Sequence, residues 1–155
     1  MAAGALRRLR FSREEARLVE TAVRHHLRPL QLAWRGRTSK RAIYRFFRDM
    51  GDAGVEVALL ALADRRATVG PDAADDQSPA LLETVEALLD AYFNRQQTVV
   101  APAPLLTGRD LIDQFGLAEG PEVGRLLSGL QEAQAAAQVT THAQAEEWVR
   151  RKIGE

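Results

Sequence analysis

Apolar positions along the chain recur at three- and four-residue spacing, and the period-two alternation of a half-buried strand is missing throughout. Ser12 is followed three residues later by Glu15, a pairing that opens a helix by satisfying its first free amides. Val19, Val23, His26 and Leu27 then fall on one stripe, until Pro29 ends the helix and suits the first turn of a short one over 30–35. Ser39 caps the next helix, whose Ile43, Phe46, Phe47 and Met50 share a face, and Gly51 closes it. From Asp52 to Val69 the pattern is apolar nearly all round, at VEVALLALA, which predicts a buried central helix. Ser78-Pro79 opens a helix running to about Val100, with Leu81, Leu82, Val85, Leu88, Leu89, Tyr92 and Phe93 inward. Ala101-Pro-Ala-Pro has to be extended. Gly108 to Phe115 reads as a short helix stopped by Gly116. Gly120-Pro121 starts another, with Val123, Leu126, Leu127, Leu130 and Ala133 inward, and Thr140-Thr141 starts the last, which ends near Ile153.

The pattern therefore predicts an all-α protein, a helical bundle of about seven helices in one or two lobes, with residues 1–10 a frayed lead-in. The polar stretch PDAADDQ, residues 71–77, reads as a hinge between an N-terminal part, 1–70, and a C-terminal part, 78–155.

Composition narrows the chemistry. The 155 residues include no cysteine, which removes disulfides, thiolate metal sites and a cysteine nucleophile. Aromatic residues make up 6%, too few for a base-stacking sheet. The longest apolar run, Val55 to Ala63, contains Glu56 and is far short of the roughly 20 residues needed to span a bilayer. The N-terminal arginines have no apolar segment after them, so no signal peptide is expected, and a cytoplasmic location fits.

Charge changes the picture more. The chain is neutral overall, yet residues 1–50 carry thirteen Lys/Arg against four Asp/Glu, a net of +9. Residues 51–100 are at −6 and residues 101–155 at −3. A basic end beside acidic ones fits a polyanion-facing surface, and equally fits solvated faces with contacts between lobes. Arg41, Arg45 and Arg48 form a row opposite the apolar face of their helix, with Lys40, Arg35 and Arg37 near it. The row suits nucleic-acid phosphates, and as a solvated face it would take Asp49 and later acids as partners.

A second candidate is Gly120-Pro-Glu-Val-Gly-Arg, because a helix start presents free amides and the positive end of its dipole. Gly124 and Ser128 keep one side low and Arg125 offers a charged donor, while Glu122 opposes a phosphate there. The competing reading is a tight turn and helix packing. His26 on its apolar face and Asp64 on the buried helix are the candidate metal pair, but a site needs three or four ligands. A core histidine bonded to a buried aspartate explains them as well. Asp-x-Asp, Gly-x-Ser-x-Gly and phosphate-loop motifs are absent, so no catalytic residue, metal or cofactor is assigned.

Three stretches in this order carry a resemblance: VRHHLRPL (Val23–Leu30), RAIYRFFRDMGDAGVEVALLALADRRA (Arg41–Ala67) and PLLTGRDLIDQFGLAEGPEVGRLLSGLQEAQ (Pro104–Gln134). Together they are similar to the C-terminal half of bacterial tRNA nucleotidyltransferases, the CCA-adding and poly(A) polymerase family of the type with an HD domain. The resemblance implies an HD-domain remnant in which Asp64 matches the last aspartate and His26 an additional histidine. The family's first histidine and His-Asp doublet would lie before Met1, as would the nucleotide-binding head. What it implies for this chain is a helical body that holds tRNA or other structured RNA, without turnover of its own. Lys40, Arg41, Arg45, Arg48, Arg109, Gly120, Gly124 and Arg125 are the residues expected at the RNA. Two other readings are an HD-type metal-dependent phosphohydrolase remnant and a protein-interaction domain that complements a separate catalytic subunit. A homodimer is also compatible with apolar surface left uncovered.

Overall fold

The computed structural model describes residues 2–36, 38–69 and 78–154, the side chains of residues 2, 3 and 7 excepted. Among the described residues there is no strand, and the chain is an all-α bundle. The proposed hinge at 71–77 lies outside them.

The lead-in is itself a helix, α1 (Ala2–Arg8), rather than a frayed segment. Leu6 is buried and the helix lies against α2 (Arg13–His25), which supplies the contact that residue pattern alone could not. Ser12 and Glu15 close the expected capping box, with amide-to-side-chain distances of 2.8 and 3.2 Å. The inward ridge of α2 differs from expectation. Ala22 and Leu18 face the core, while Val23 and Leu27 are 50% and 47% exposed. The small Ala22 side chain lets α2 approach α5 closely, and that fit turns the neighbouring ridge outward.

α3 (Arg28–Ala33) and α4 (Lys40–Met50) follow, the latter capped by the Ser39 hydroxyl. Ile43, Phe46, Phe47 and Met50 are all buried, as their spacing requires. Each such side chain contributes about 1.5–3 kcal/mol relative to exposure. Gly51 takes φ +55°, open to glycine at little cost, and leads through a single 3-10 turn into α5 (Gly54–Val69). α5 is not buried all round. Val57, Ala58 and Ala61 face inward, while Leu59 is 50% exposed, since the neighbouring helices cover one side only.

α6 (Ser78–Asn94) packs on α3 and α5, and Leu81, Val85, Leu88 and Ala91 complete the first core. The helix stops earlier than the stripe suggested. Arg95 leaves helical backbone, and a wide turn over Gln96–Val100 buries Val99. Leu82 and Phe93 are consequently exposed. The apolar cores thus divide the chain after residue 100, with α6 on the N-terminal side of the division.

The second core gathers Leu106, Leu111, Val123, Leu130, Ala133, Val139, Ala145 and Val149. It is built from α7 (Gly108–Phe115), α8 (Pro121–Ala135) and α9 (His142–Ile153). Thr107–Asp110 and Thr141–Gln144 cap two of these reciprocally. Gly116 ends α7 in left-handed backbone at φ +68°, donating its amide to Ile112. α8 ends in a paired turn. Gln138 donates its amide to the Ala133 carbonyl and Ala137, at φ +58°, donates to Gln134. That turn sends Gln138 toward α4.

Candidate nucleic-acid interface

The basic helix α4 is also the helix that joins the two cores, because it packs against α8. Tyr44 donates its hydroxyl to Gln131 Oε1 at 3.3 Å. One turn on, Arg45 forks Glu132, Nε to Oε2 at 2.8 Å and Nη2 to Oε1 at 2.6 Å. Arg41 adds a third contact, Nε to Glu132 Oε1 at 3.1 Å, and donates Nη2 to Gln138 Oε1 at 2.9 Å. The row expected to face ligand therefore clasps the second core with part of its hydrogen-bonding capacity.

Glu132 is shielded, its side chain 15% exposed, while those of Arg41 and Arg45 are 44% and 51% exposed. The hydrogen bonds from Arg45, followed by the positive charges of Arg45, Arg41 and Arg48, hold the Glu132 carboxyl below its ordinary value of 4.5. A half-exposed clasp of this kind contributes about 1 kcal/mol. Because the folded-state value is depressed, that stabilisation is present above 4.5 and is lost as pH falls through the lower folded value. Glu132→Gln is expected to lower stability by about 1 kcal/mol at neutral pH. The difference from the parent should shrink in acid, as read by urea unfolding at the two pH values. A difference that stays constant with pH would show that the charge of Glu132 is not what holds the clasp.

Arg48, at the other end of the row, donates to Asp49 at 2.9 Å, and Arg28 reaches the same carboxylate at 3.5 Å. Each acid on this face is thus shared by two guanidiniums, Glu132 by Arg41 and Arg45, Asp49 by Arg28 and Arg48. Four cations against two anions leave an excess of two positive charges. Neighbouring Lys40 is exposed and has no ion-pair partner among the described residues.

The remaining expected residues sit on the second core. The start of α7 lies beside α8: a Cβ on Gly108 would stand 3.5 Å from Val123 and 3.6 Å from Leu127. Arg109 and Arg125 therefore belong to neighbouring helix starts. Arg109 is almost fully exposed and lies 3.6 Å from Asp113, and Arg125 is exposed. At Gly124 an added Cβ would meet nothing within 4 Å, so this side of α8 is open to close approach. Gly120 precedes α8 without a side-chain cap.

The histidine–aspartate pair does not meet as a core hydrogen bond. His26 Nδ1 donates to the Val23 carbonyl of its own helix turn at 2.8 Å, and Asp64 is exposed because α5 is covered on one side only. No group of three or more His, Cys, Asp or Glu side chains among the described residues could hold a metal ion. No helix among them is long and apolar enough to cross a membrane. Sequence reasoning missed Glu132, Gln131 and Gln138. Each lies in a polar, alanine-rich helix end whose composition gives no sign of a partner 87 or 97 residues away.

Helices joined by a cation-rich seam, with no assembled acid or metal centre among the described residues, define a helical binding module. Residues 1–149 match the family described as tRNA nucleotidyltransferase domain 2, and the chain belongs to that family. It is 34% identical over 137 residues to the CC-adding tRNA nucleotidyltransferase of Thermus thermophilus, covering 88% of this chain and 28% of that protein. It is 37% identical over 92 residues to the A-adding tRNA nucleotidyltransferase of Deinococcus radiodurans, covering 59% of this chain and 20% of that protein. A CC-adding relative from Synechocystis sp. is 30% identical over 128 residues, 83% of this chain and 27% of its own. The chain thus spans about a quarter of the length of these relatives. No solved structure matches it.

Proposed function

We propose that this chain is a tRNA-holding helical region of a tRNA nucleotidyltransferase or poly(A) polymerase-like protein and does not transfer nucleotides by itself. The observation that carries the reading is the charge on α4, where shared carboxylates leave two positive charges uncompensated beside the unpaired Lys40. Family membership gives that surface its ligand, since the relatives are named for acting on tRNA. Lys40, Arg41, Arg45 and Arg48 take backbone phosphates on the first core. Arg109, Gly120, Gly124 and Arg125 take them on the second. Contacts of this kind read shape and backbone rather than base sequence. The proposed setting is cytoplasmic. Titration of a labelled tRNA with the purified chain, against a DNA duplex of equal length, tests the reading.

A protein partner is favoured by a separate observation. Val23, Leu27, Leu59 and Phe93 are each at least 47% exposed, more large apolar surface than an isolated bundle needs to leave uncovered. A separately encoded catalytic subunit, or a second copy of this chain, is the occupant we propose for it. No metal-dependent hydrolase activity is assigned, because His26 and Asp64 lack a further ligand among the described residues.

A further inference from the structure

Beside the clasp, two clefts meet at the seam between the cores. One, of about 730 Å³, lies among α3, α4 and α6 and is lined in part by Thr38, Glu83 and Thr84. The other, of about 450 Å³, runs past the wide turn and the 101–105 connector to the end of α8, by way of Gln97, Gln134 and Thr140. Two side chains line both: Lys40 and Arg95. They stand where the clefts join.

Most polar groups along these walls are already engaged. Thr38 and Thr84 bond each other at 3.1 Å. Gln134 donates to the Ala103 carbonyl and accepts from the Leu105 amide. The Thr140 hydroxyl donates to Gln144, and the Thr98 hydroxyl donates to the Arg95 carbonyl. The two basic groups are the exceptions. Lys40 has no partner among the described residues. Arg95 pairs with Asp90 through Nη2, but its Nε is buried with no hydrogen-bond partner. A buried charged donor left without an acceptor is costly, so such a group marks a place where a further acceptor completes the structure. Glu83 is the one acid among the lining residues, so cations prevail at the junction.

The geometry points to a phosphodiester site: Lys40 and Arg95 take one backbone phosphate of a single-stranded RNA segment, and the flanking nucleotides occupy the two clefts. Each cleft falls in the size range of small-ligand sites, roughly 300–1,000 Å³. Neither is lined by an aromatic residue, so the contact is to backbone and independent of base. The inference deepens the RNA-holding reading by giving it a strand path, distinct from the arginine row on the other side of α4.

The test follows the Arg95 Nε–H resonance by NMR, assigned through its loss in Arg95→Gln, while the unmodified chain is titrated at low salt with a short oligoribonucleotide. A saturable shift of that resonance is expected. The same shift with inorganic phosphate alone would mean a small-anion site, and no shift would mean no site; either overturns the assignment, and both are read without reference to tRNA. In parallel, Lys40→Gln/Arg95→Gln is expected to weaken tRNA binding about tenfold or more and to lower the salt slope by about two, one for each lost phosphate contact. Tight tRNA binding by the parent and unchanged binding by a double variant that melts normally would overturn the groove while leaving the RNA-holding reading intact. A parent chain that binds no tRNA would sink that broader reading, and the oligoribonucleotide titration then decides the groove by itself.

Discussion

Changing Arg41, Arg45 and Arg48 together to glutamate should weaken tRNA binding by roughly a hundredfold or more at low salt and reduce the salt slope by about three. The size follows from the arithmetic of the face. With Arg28, Glu132 and Asp49 it carries an excess of two positive charges, and the triple change turns that into four negative ones. The same substitution also breaks the contact between α4 and α8, so the experiment needs Glu132→Gln beside it. That single change removes the clasp but raises the positive excess by one. Binding by Glu132→Gln should equal or exceed that of the parent. If both variants lose binding alike, the row matters for architecture rather than for RNA. If the triple variant binds as the parent does, the RNA surface lies elsewhere.

Phe46→Ala should cost about 3–5 kcal/mol, the range for emptying a large aromatic site in a close-packed core. Phe46 has no exposed surface and meets Phe47 edge to face with ring centroids 5.1 Å apart. Phe47 in turn lies 5.5 Å from Tyr92 of α6, so the aromatic run ties α4 to the helix that the chain adds last to this core. Gly54→Ala is the sharper companion. Inside an exposed helix the change would stabilise by up to about 1 kcal/mol. Here the new Cβ would stand 2.6 Å from Phe47 Cδ1 and 2.7 Å from its Cε1, and the ring is packed on its far side. Destabilisation of about 1–3 kcal/mol is expected instead. Chemical denaturation of the two variants measures both, and a stabilised Gly54→Ala would mean that α5 does not sit on Phe47 as described.

Local chemistry carried the parts of this fold that could be read in advance. Ser39 and Gly51 bracket a helix whose inward face is four large apolar residues, and no other arrangement satisfies that spacing. Gly116 and the prolines at 29 and 121 are similarly local devices. The failures all turn on what a helix meets. On α2, two adjacent ridges are both apolar, and the choice of the Leu18/Ala22 ridge over Val23/Leu27 depends on how closely α5 can approach. The side chains of α6 form a clear stripe, but a stripe does not say which core it joins. Polarity at VEVALLALA gave no sign that Leu59 would be left outside. The interface was half legible: the arginine row could be seen in the spacing 41, 45, 48, whereas Glu132 and Arg95 become meaningful only when distant segments are brought beside α4.

The most direct measurement is a titration of a labelled tRNA with the purified chain at two salt concentrations, with a DNA duplex of equal length as the comparison. The RNA-holding account predicts tight binding that prefers tRNA and weakens steeply at the higher salt. No binding, or equal binding to the DNA duplex, would contradict it and turn attention to the exposed apolar face as a protein-binding surface.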